Sequence, residues 1–268
     1  MAPADTKRAF LRLLFPQPNR LGFGAALVGL VTATAALALA HPSSPLSWSV
    51  LAGVTSHRTQ VELLDVANAW TSPDTQADAL WQAAVDATGQ QNDSERALSL
   101  LGRLLRDHPT SVHTTSARAQ RAMILDRRDN PASAEAWKRA AESAPEHPRA
   151  GRWWLAAADR YSARGLTLTA LEAYQAATAY PSEAALAWIA IGRLNLAHDA
   201  AVAHRAFSAA ATAAQRPSTL RIARLGVATA LERLEGPEAA LAEVDEVIAS
   251  EGSDPSLERR RDRLRNGG

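Results

Sequence analysis

A tryptophan recurs at one position of a repeating pattern, and that repeat limits what the chain can fold into more than any other feature. Trp81, Trp154 and Trp188 each open a helix-like segment, and each is followed by a second segment closed by proline. The first copy reads Trp81-x2-Ala84-Val85-x2-Thr88, then Ala97-x3-Leu101-x2-Leu104, then Pro109. The next reads Trp154-x2-Ala157-Ala158-x2-Tyr161, passes Gly165, and continues Ala170-x3-Tyr174-x2-Ala177 to Pro181. Trp188-x2-Ile191-Gly192-x2-Asn195 leads to Ala203-x3-Phe207-x2-Ala210 and Pro217. A weaker copy runs Ile222-x2-Leu225-Gly226-x2-Thr229, then Ala240-x3-Val244-x2-Val247 and Pro255. Between the first two lies a degenerate unit, whose first helix near Ser111 to Arg127 lacks the aromatic signature and whose second keeps Trp137-x2-Ala140 before Pro145. The large residues of the second segments fall at 101, 137, 174, 207 and 244, so the spacings are 36, 37, 33 and 37 residues. A period in that range, held five times, marks stacked supersecondary units.

Close packing explains the residue types. Ala157, Ala158, Gly192, Ala170 and Ala203 are small enough to let paired helices approach, and the large residues fill the gap between successive pairs. One pair cannot bury its own apolar face, so the units must stack. Punctuation agrees with this register. Asn130-Pro131 and Gly236-Pro237-Glu238 read as helix starts with proline in the first turn, and Ser182-Glu183 reads as a cap followed by an acid. His108-Pro109 and His147-Pro148 read as unit boundaries, because the residue before proline is pushed out of helical angles.

The pattern resembles the tetratricopeptide repeat (TPR) family over about Asp78 to Pro255. The resemblance implies an all-α fold, a TPR-like α-solenoid of about five helix pairs over residues 59–255. It also implies a non-enzymatic scaffold that binds protein or peptide partners in a concave groove lined by the first helix of each unit. By the repeat register, the groove residues are Arg152, Leu155 and Asp159, then Ile189, Arg193 and Leu196, then Ala223, Arg224 and Val227. Arg152, Arg193 and Arg224 fall on three successive units, where bidentate bonds to an acidic or C-terminal carboxylate group are open to them. The Lys and Asn set with which some family members clamp a peptide carboxylate is not evident.

The start of the chain adds a second constraint. Leu21 to Ala40 is a run of uncharged residues, and a helix of about 20 residues spans a hydrocarbon core of roughly 30 Å. One N-terminal transmembrane helix is therefore expected ahead of the repeats. Lys7, Arg8, Arg12 and Arg20 precede it and no Lys or Arg follows until Arg58, so the N-terminus is expected in the cytoplasm and the repeats on the periplasmic side of a bacterial inner membrane. Ala38-Leu39-Ala40 also satisfies the small-x-small preference for signal cleavage before His41, which would release a soluble periplasmic binding factor instead. Both alternatives export the repeats. The segments expected are a basic N-terminus (1–20), the anchor or signal (21–40), a linker rich in Pro and Ser (41–58), the repeats (59–255, opened by a preliminary helix from Thr59 to Trp70) and a charged capping helix (256–268).

Chemistry is sparse. The chain has no cysteine, which excludes disulfides, thiolate catalysis and iron–sulfur ligation on it. Its histidines, His41, His57, His108, His113, His147, His198 and His204, form no His-Glu-x2-His arrangement, so no metal is expected. No Gly-x4-Gly-Lys-Ser/Thr loop or Gly-x-Ser-x-Gly elbow is present, so neither catalytic residues nor a cofactor is expected. A net charge of +1 provides no global field toward nucleic acid. Partners are expected to be proteins or peptides of the cell envelope, with the membrane engaged through Leu21 to Ala40.

Overall fold

The structure, a computed structural model, describes residues 73–89, 93–252 and 254–266. The expected membrane segment, linker and preliminary helix from Thr59 to Trp70 lie outside the described residues. Among the described residues there are eleven helices and no strand. They are α1 (Pro73–Gly89), α2 (Ser94–Asp107), α3 (Thr114–Arg127), α4 (Ser133–Ser143), α5 (Ala150–Ala163), α6 (Thr167–Ala177), α7 (Ala184–Asn195), α8 (Ala200–Ala213), α9 (Pro217–Leu234), α10 (Pro237–Glu251) and α11 (Pro255–Arg265). The sequence therefore yields five helix pairs and a final single helix. None of these helices is long and apolar enough to cross a membrane.

Local chemistry sets the helix ends. The Asp93 and Asp199 carboxylates accept from the backbone N–H of Arg96 (3.1 Å) and Val202 (2.9 Å), satisfying donors that have no partner inside the helix. Pro217, Pro237 and Pro255 stand at the first helical positions of α9, α10 and α11, where the missing N–H is no loss. The turn between α5 and α6 needs a left-handed residue. Gly165 supplies it at φ 71°, and the Leu166 N–H returns to the Tyr161 carbonyl at 3.0 Å. Asp129 takes the matching place after α3 at φ 49°, with the Asn130 N–H on the Leu125 carbonyl at 2.9 Å.

The chain divides into two compact units at Ile124/Leu125, within α3. In the first, Leu80, Ala84, Leu101 and Leu104 pack with Ala117 and Ile124 in a dry cluster. His113 stacks on Trp81 with ring centroids 5.5 Å apart, and its Nε2 lies 2.7 Å from Asp78 Oδ1.

The second unit has no single centre; its core passes from pair to pair. Ala157, Ala158 and Tyr161 of α5 meet Ala170 and Tyr174 of α6, Ile191 of α7 and Ala206 of α8. Ile189 of α7 meets Ala203 and Phe207 of α8 and Ala223 and Val227 of α9. Ala228 of α9 then meets Ala240 and Val244 of α10 and Leu264 of α11. The recurring small residues are wholly buried at every copy: Ala97, Ala170, Ala203 and Ala240 have no exposed surface, and Ser133, their counterpart in α4, has 1%.

Phe207 shows why smallness matters. Its ring is inserted between α7 and α9, where two glycines leave it room. A Cβ added to Gly192 would lie 2.8 Å from the ring, and one added to Gly226 would lie closer still. Gly192 and Gly226 are 34 residues apart, the same position of successive repeats. One ring is thus gripped by its own pair and by the next.

Polar stitches repeat the period across the second unit. The Arg164 guanidinium donates to the Asn130 carbonyl (3.0 Å), Tyr180 Oη to the Pro145 carbonyl (3.1 Å), Arg233 to the Leu196 carbonyl (2.7 Å) and Arg260 to the Leu225 carbonyl (3.3 Å) and Thr229 Oγ1 (2.7 Å). Most of these acceptors lie at turns and helix ends, where carbonyls lack an intrahelical partner. The charged tail of the sequence is used in the same way. In α11, Leu257 and Leu264 are buried at 2% and 4%, Arg260 reaches back to α9, and Arg261, Arg263 and Arg265 pair with Glu258, Glu232 and Asp245. This last helix begins at Pro255, one residue earlier than expected, with Asp254 capping it and ion-paired to Arg221.

Replacing Gly192 with leucine, or Gly226 with alanine, should overpack the Phe207 slot and cost about 1–3 kcal/mol, more than the gain of up to about 1 kcal/mol in helix propensity. Gly102→Ala is the control, because its added Cβ would meet only the Arg106 side chain at 3.7 Å. Thermal unfolding followed by circular dichroism checks this; either slot variant melting as high as the parent would contradict the wedge.

Candidate functional site

Two adjoining hollows open on one face of the second unit, with volumes of about 450 and 510 Å³. They share Leu155, Asp159 and Leu186, so they form a continuous groove. Its walls are α5, α7 and α9, the first helices of three successive pairs, together with Tyr174 of α6 and Ala213 of α8. Helices of neighbouring pairs lie side by side here because the small residues beneath them allow it.

The floor is apolar. Leu155, Ile189, Ala190 and Leu194 line it, and Leu186 (48% exposed) and Ile222 (42%) stand up from it into solvent. Ile189 is 4% exposed and belongs to the Phe207 cluster, so the same side chain is both core and groove floor. At one end Arg152 of α5 faces Arg216, the N-cap residue of α9, across Pro181 to Glu183. At the other, Asp159, Ser162, Tyr174 and Arg193 come together.

The polar groups at that second end are fixed. Tyr174 Oη donates to Asp159 Oδ1 at 2.5 Å, a short bond of the kind formed to a charged acceptor. Burial first, and then the bond to Asp159, push the Tyr174 phenol far above its ordinary range. Tyr174 is thereby held as a hydrogen-bond donor, the opposite of what a base or nucleophile at neutral pH needs. Glu183 is 7% exposed and accepts from Ser182 Oγ, and Gly151 beside it has no side chain because Tyr180 and Glu183 occupy the space. Arg152, Arg193 and Arg216 have no side-chain hydrogen bond or ion pair among the described residues. No group of three or more His, Asp or Glu side chains there is arranged to hold a metal.

Of the nine residues expected in the groove, the structure brings Arg152, Leu155, Asp159, Ile189 and Arg193 to it. It does not bring the other four. Leu196 is the C-cap of α7 and packs on the Phe207 cluster while its carbonyl accepts from Arg233. Ala223 and Val227 are buried at 0% and 6% in that cluster. Arg224 turns to its own pair and lies 2.9 Å from Glu246 of α10, so the ladder Arg152–Arg193–Arg224 is not formed. On α9 the groove is reached by Thr219 and Ile222, and the third arginine is Arg216. Ile222 was marked in the sequence as the counterpart of Trp188, 34 residues on. Leu186 and Arg216 carried no comparable mark.

No protein-family model matches the sequence, and no curated protein matches it. Among solved structures, the C-terminal part of a TPR repeat-containing protein from Cytophaga hutchinsonii aligns with a TM-score of 0.57 at 10% identity, covering 95% of this chain and 98% of that one. The apo form of the quorum sensor NprR from B. thuringiensis aligns at 14% identity over 96% of this chain and 74% of that one, with a TM-score of 0.43, too low to carry an argument. The first likeness shows the fold, a TPR-like array of helix pairs.

The chain has three tyrosines, which makes the phenols a direct probe. Burial and then the Glu135 carboxylate, 2.9 Å away, push Tyr161 up to about 12, and Tyr174 lies higher still. Ordinary phenols ionise near 10, so the stabilisation from both groups is complete below about pH 10 and is lost as pH rises through about 12 and beyond. An absorbance titration near 295 nm should show two late phenols in the folded protein, and Tyr174→Phe should delete the latest step while lowering stability by about 1 kcal/mol. Three phenols titrating together near pH 10 would contradict this geometry.

Proposed function

We propose that this chain is a non-enzymatic scaffold that binds protein or peptide partners along the groove of α5, α7 and α9. The observation that carries the reading is the groove itself: a preformed hollow, continuous across three successive pairs, with Leu186 and Ile222 exposed above an apolar floor. Exposed apolar side chains grouped in a concavity and rimmed by charge are the usual makings of a recognition surface. The fixed, donor-only state of Tyr174 supports binding rather than catalysis.

The proposed place of action is the periplasmic side of a bacterial inner membrane. Support comes from the sequence: the uncharged run Leu21 to Ala40, with Lys7, Arg8, Arg12 and Arg20 before it. A soluble form released by cleavage before His41 is the second reading, favoured by Ala38-Leu39-Ala40.

Two measurements test the proposal. A photoreactive residue at Leu186 should crosslink to protein partners in living cells, whereas one at Leu168, which is 78% exposed and outside the groove, should not. A reporter active only after export, fused behind Gly268, should be active, and the intact chain should stay in the membrane pellet after salt and carbonate washing. No adduct at Leu186 would overturn partner binding in the groove. An inactive reporter would reverse the topology, and a released form starting at His41 would select the soluble reading.

A further inference from the structure

The turns that join the two helices of each pair line one edge of the second unit. The α5–α6 turn carries Leu166 and leads into Leu168, the α7–α8 turn carries Leu196 and Ala197, and α9 ends at Leu234 before the α9–α10 turn. Arg233 binds the last of these turns to the middle one through the Leu196 carbonyl. Five large apolar side chains stand exposed among the described residues of this unit. Leu186 and Ile222 belong to the groove, and the other three share this edge: Leu168 at 78% exposure, Leu166 at 48% and Leu234 at 44%.

The kind of surface narrows what covers it. Hot spots for protein partners are rich in Trp, Tyr and Arg seated in enclosed pockets, with leucine under-represented, whereas these are aliphatic side chains on projecting turns. The chain brings a covering of the right chemistry within reach. Leu21 to Ala40 is an uncharged run of bilayer-spanning length, and the 32 residues of 41–72 that follow it form a tether of at most about 110 Å to the start of α1.

Turn backbone can approach lipid only where its polar groups are satisfied. The N–H groups of Arg164, Gly165 and Leu166 bond to the carbonyls of Tyr161 and Ser162, and those of Glu235 and Gly236 bond to the Leu231 carbonyl. The first turn of α6 has no side-chain cap, so its amides belong among hydrated headgroups and only the leucine side chains reach deeper. Charge does not select the lipid. Exposed Arg164 and Arg233 are accompanied on this edge by Asp199 and Glu235, which leaves no marked surplus of either sign.

We infer that this edge rests on the lipid bilayer, with Leu166, Leu168 and Leu234 inserted shallowly among the outer acyl chains. The helices of the second unit then stand upright on the membrane, and the groove of α5, α7 and α9 opens sideways along its surface. The inference rests on the membrane-anchored reading and adds how this unit is held there.

The chain has no cysteine, so an introduced one takes a probe at a single place. The full chain carrying the fluorophore NBD at Ala197→Cys, exposed in the middle turn, is reconstituted into phosphatidylcholine vesicles; Ser218→Cys, exposed at the start of α9 on the opposite edge, is the control. Doxyl groups on the lipid chains should quench the probe at position 197 and leave that at 218 nearly unchanged. Leu166→Ser, Leu168→Ser and Leu234→Ser, combined, should bring the quenching at 197 down to the control level while the helical signal stays. Leu168→Ser alone, at a side chain mostly in solvent, should give part of that loss. Adding phosphatidylglycerol should change little. Equal quenching at the two sites, quenching that survives the triple variant, quenching that appears only with anionic lipid, or a probe at 197 that is shielded yet untouched by doxyl lipid, as a protein over the leucines would leave it, would each overturn the inference. The anchored reading is judged apart from it: an intact chain that floats with the vesicles while position 197 stays unquenched would leave the anchor standing and remove the docking, whereas a chain left behind by the vesicles would remove both.

Discussion

The second unit depends on one ring held in a slot. Phe207 leaves α8 and enters the space between α7 and α9, and that space exists because Gly192 and Gly226 have no side chains. Fully burying such a side chain is worth about 1.5–3 kcal/mol, and deleting it from a packed site costs about 3–5 kcal/mol. The contact is also the joint between two repeats. With Ile189, Ala223 and Val227 it forms the cluster whose other side is the groove floor. Stability and the shape of the groove are therefore set by the same atoms, and a defect at Phe207 should be felt in the groove before it is felt in distant pairs.

Much of this was legible in the sequence because the repeat constrains burial more tightly than residue identity. The positions of Ala97, Ala170, Ala203 and Ala240, and of Leu101, Tyr174, Phe207 and Val244, are buried in these four copies although the large residues differ. The degenerate copy also folds as helices, with Ser133 in the place of alanine and Trp137 in that of the large residue. Exposed faces obey a looser rule. Arg224 lies on the helix that lines the groove, yet Glu246 on the neighbouring helix draws it away, and a partner on another helix leaves no trace at the arginine's own position. Arg216 reaches the groove from an N-cap, a place that a helix-face argument does not count. The charged C-terminal helix was legible as a cap; that its arginines are spent on α9, α10 and α11 itself was not.

The polar contacts add order more than stability. The Arg164, Tyr180, Arg233 and Arg260 bonds are partly or fully exposed, so each contributes on the order of 1 kcal/mol or less. Their value is geometric, since each spans one repeat. Within the groove, the Tyr174–Asp159 bond serves the same end: it fixes a carboxylate and a phenol, which would lower the ordering cost of the proposed binding. Rigid helices, an apolar floor and exposed arginines at its ends are the features of the groove on which the proposed partner binding rests.

The most direct test of this account is a double-mutant cycle across the slot. Gly226→Ala, Phe207→Leu and the combined variant are compared with the parent by chemical denaturation, the linear extrapolation giving each unfolding free energy. If the ring is gripped between α7 and α9, the smaller leucine relieves the added methyl, and the combined variant is more stable than the sum of the single losses predicts, by about 1 kcal/mol or more. Strict additivity of the two losses would show that Gly226 and Phe207 do not share a contact, and the account of how one repeat holds the next would be wrong.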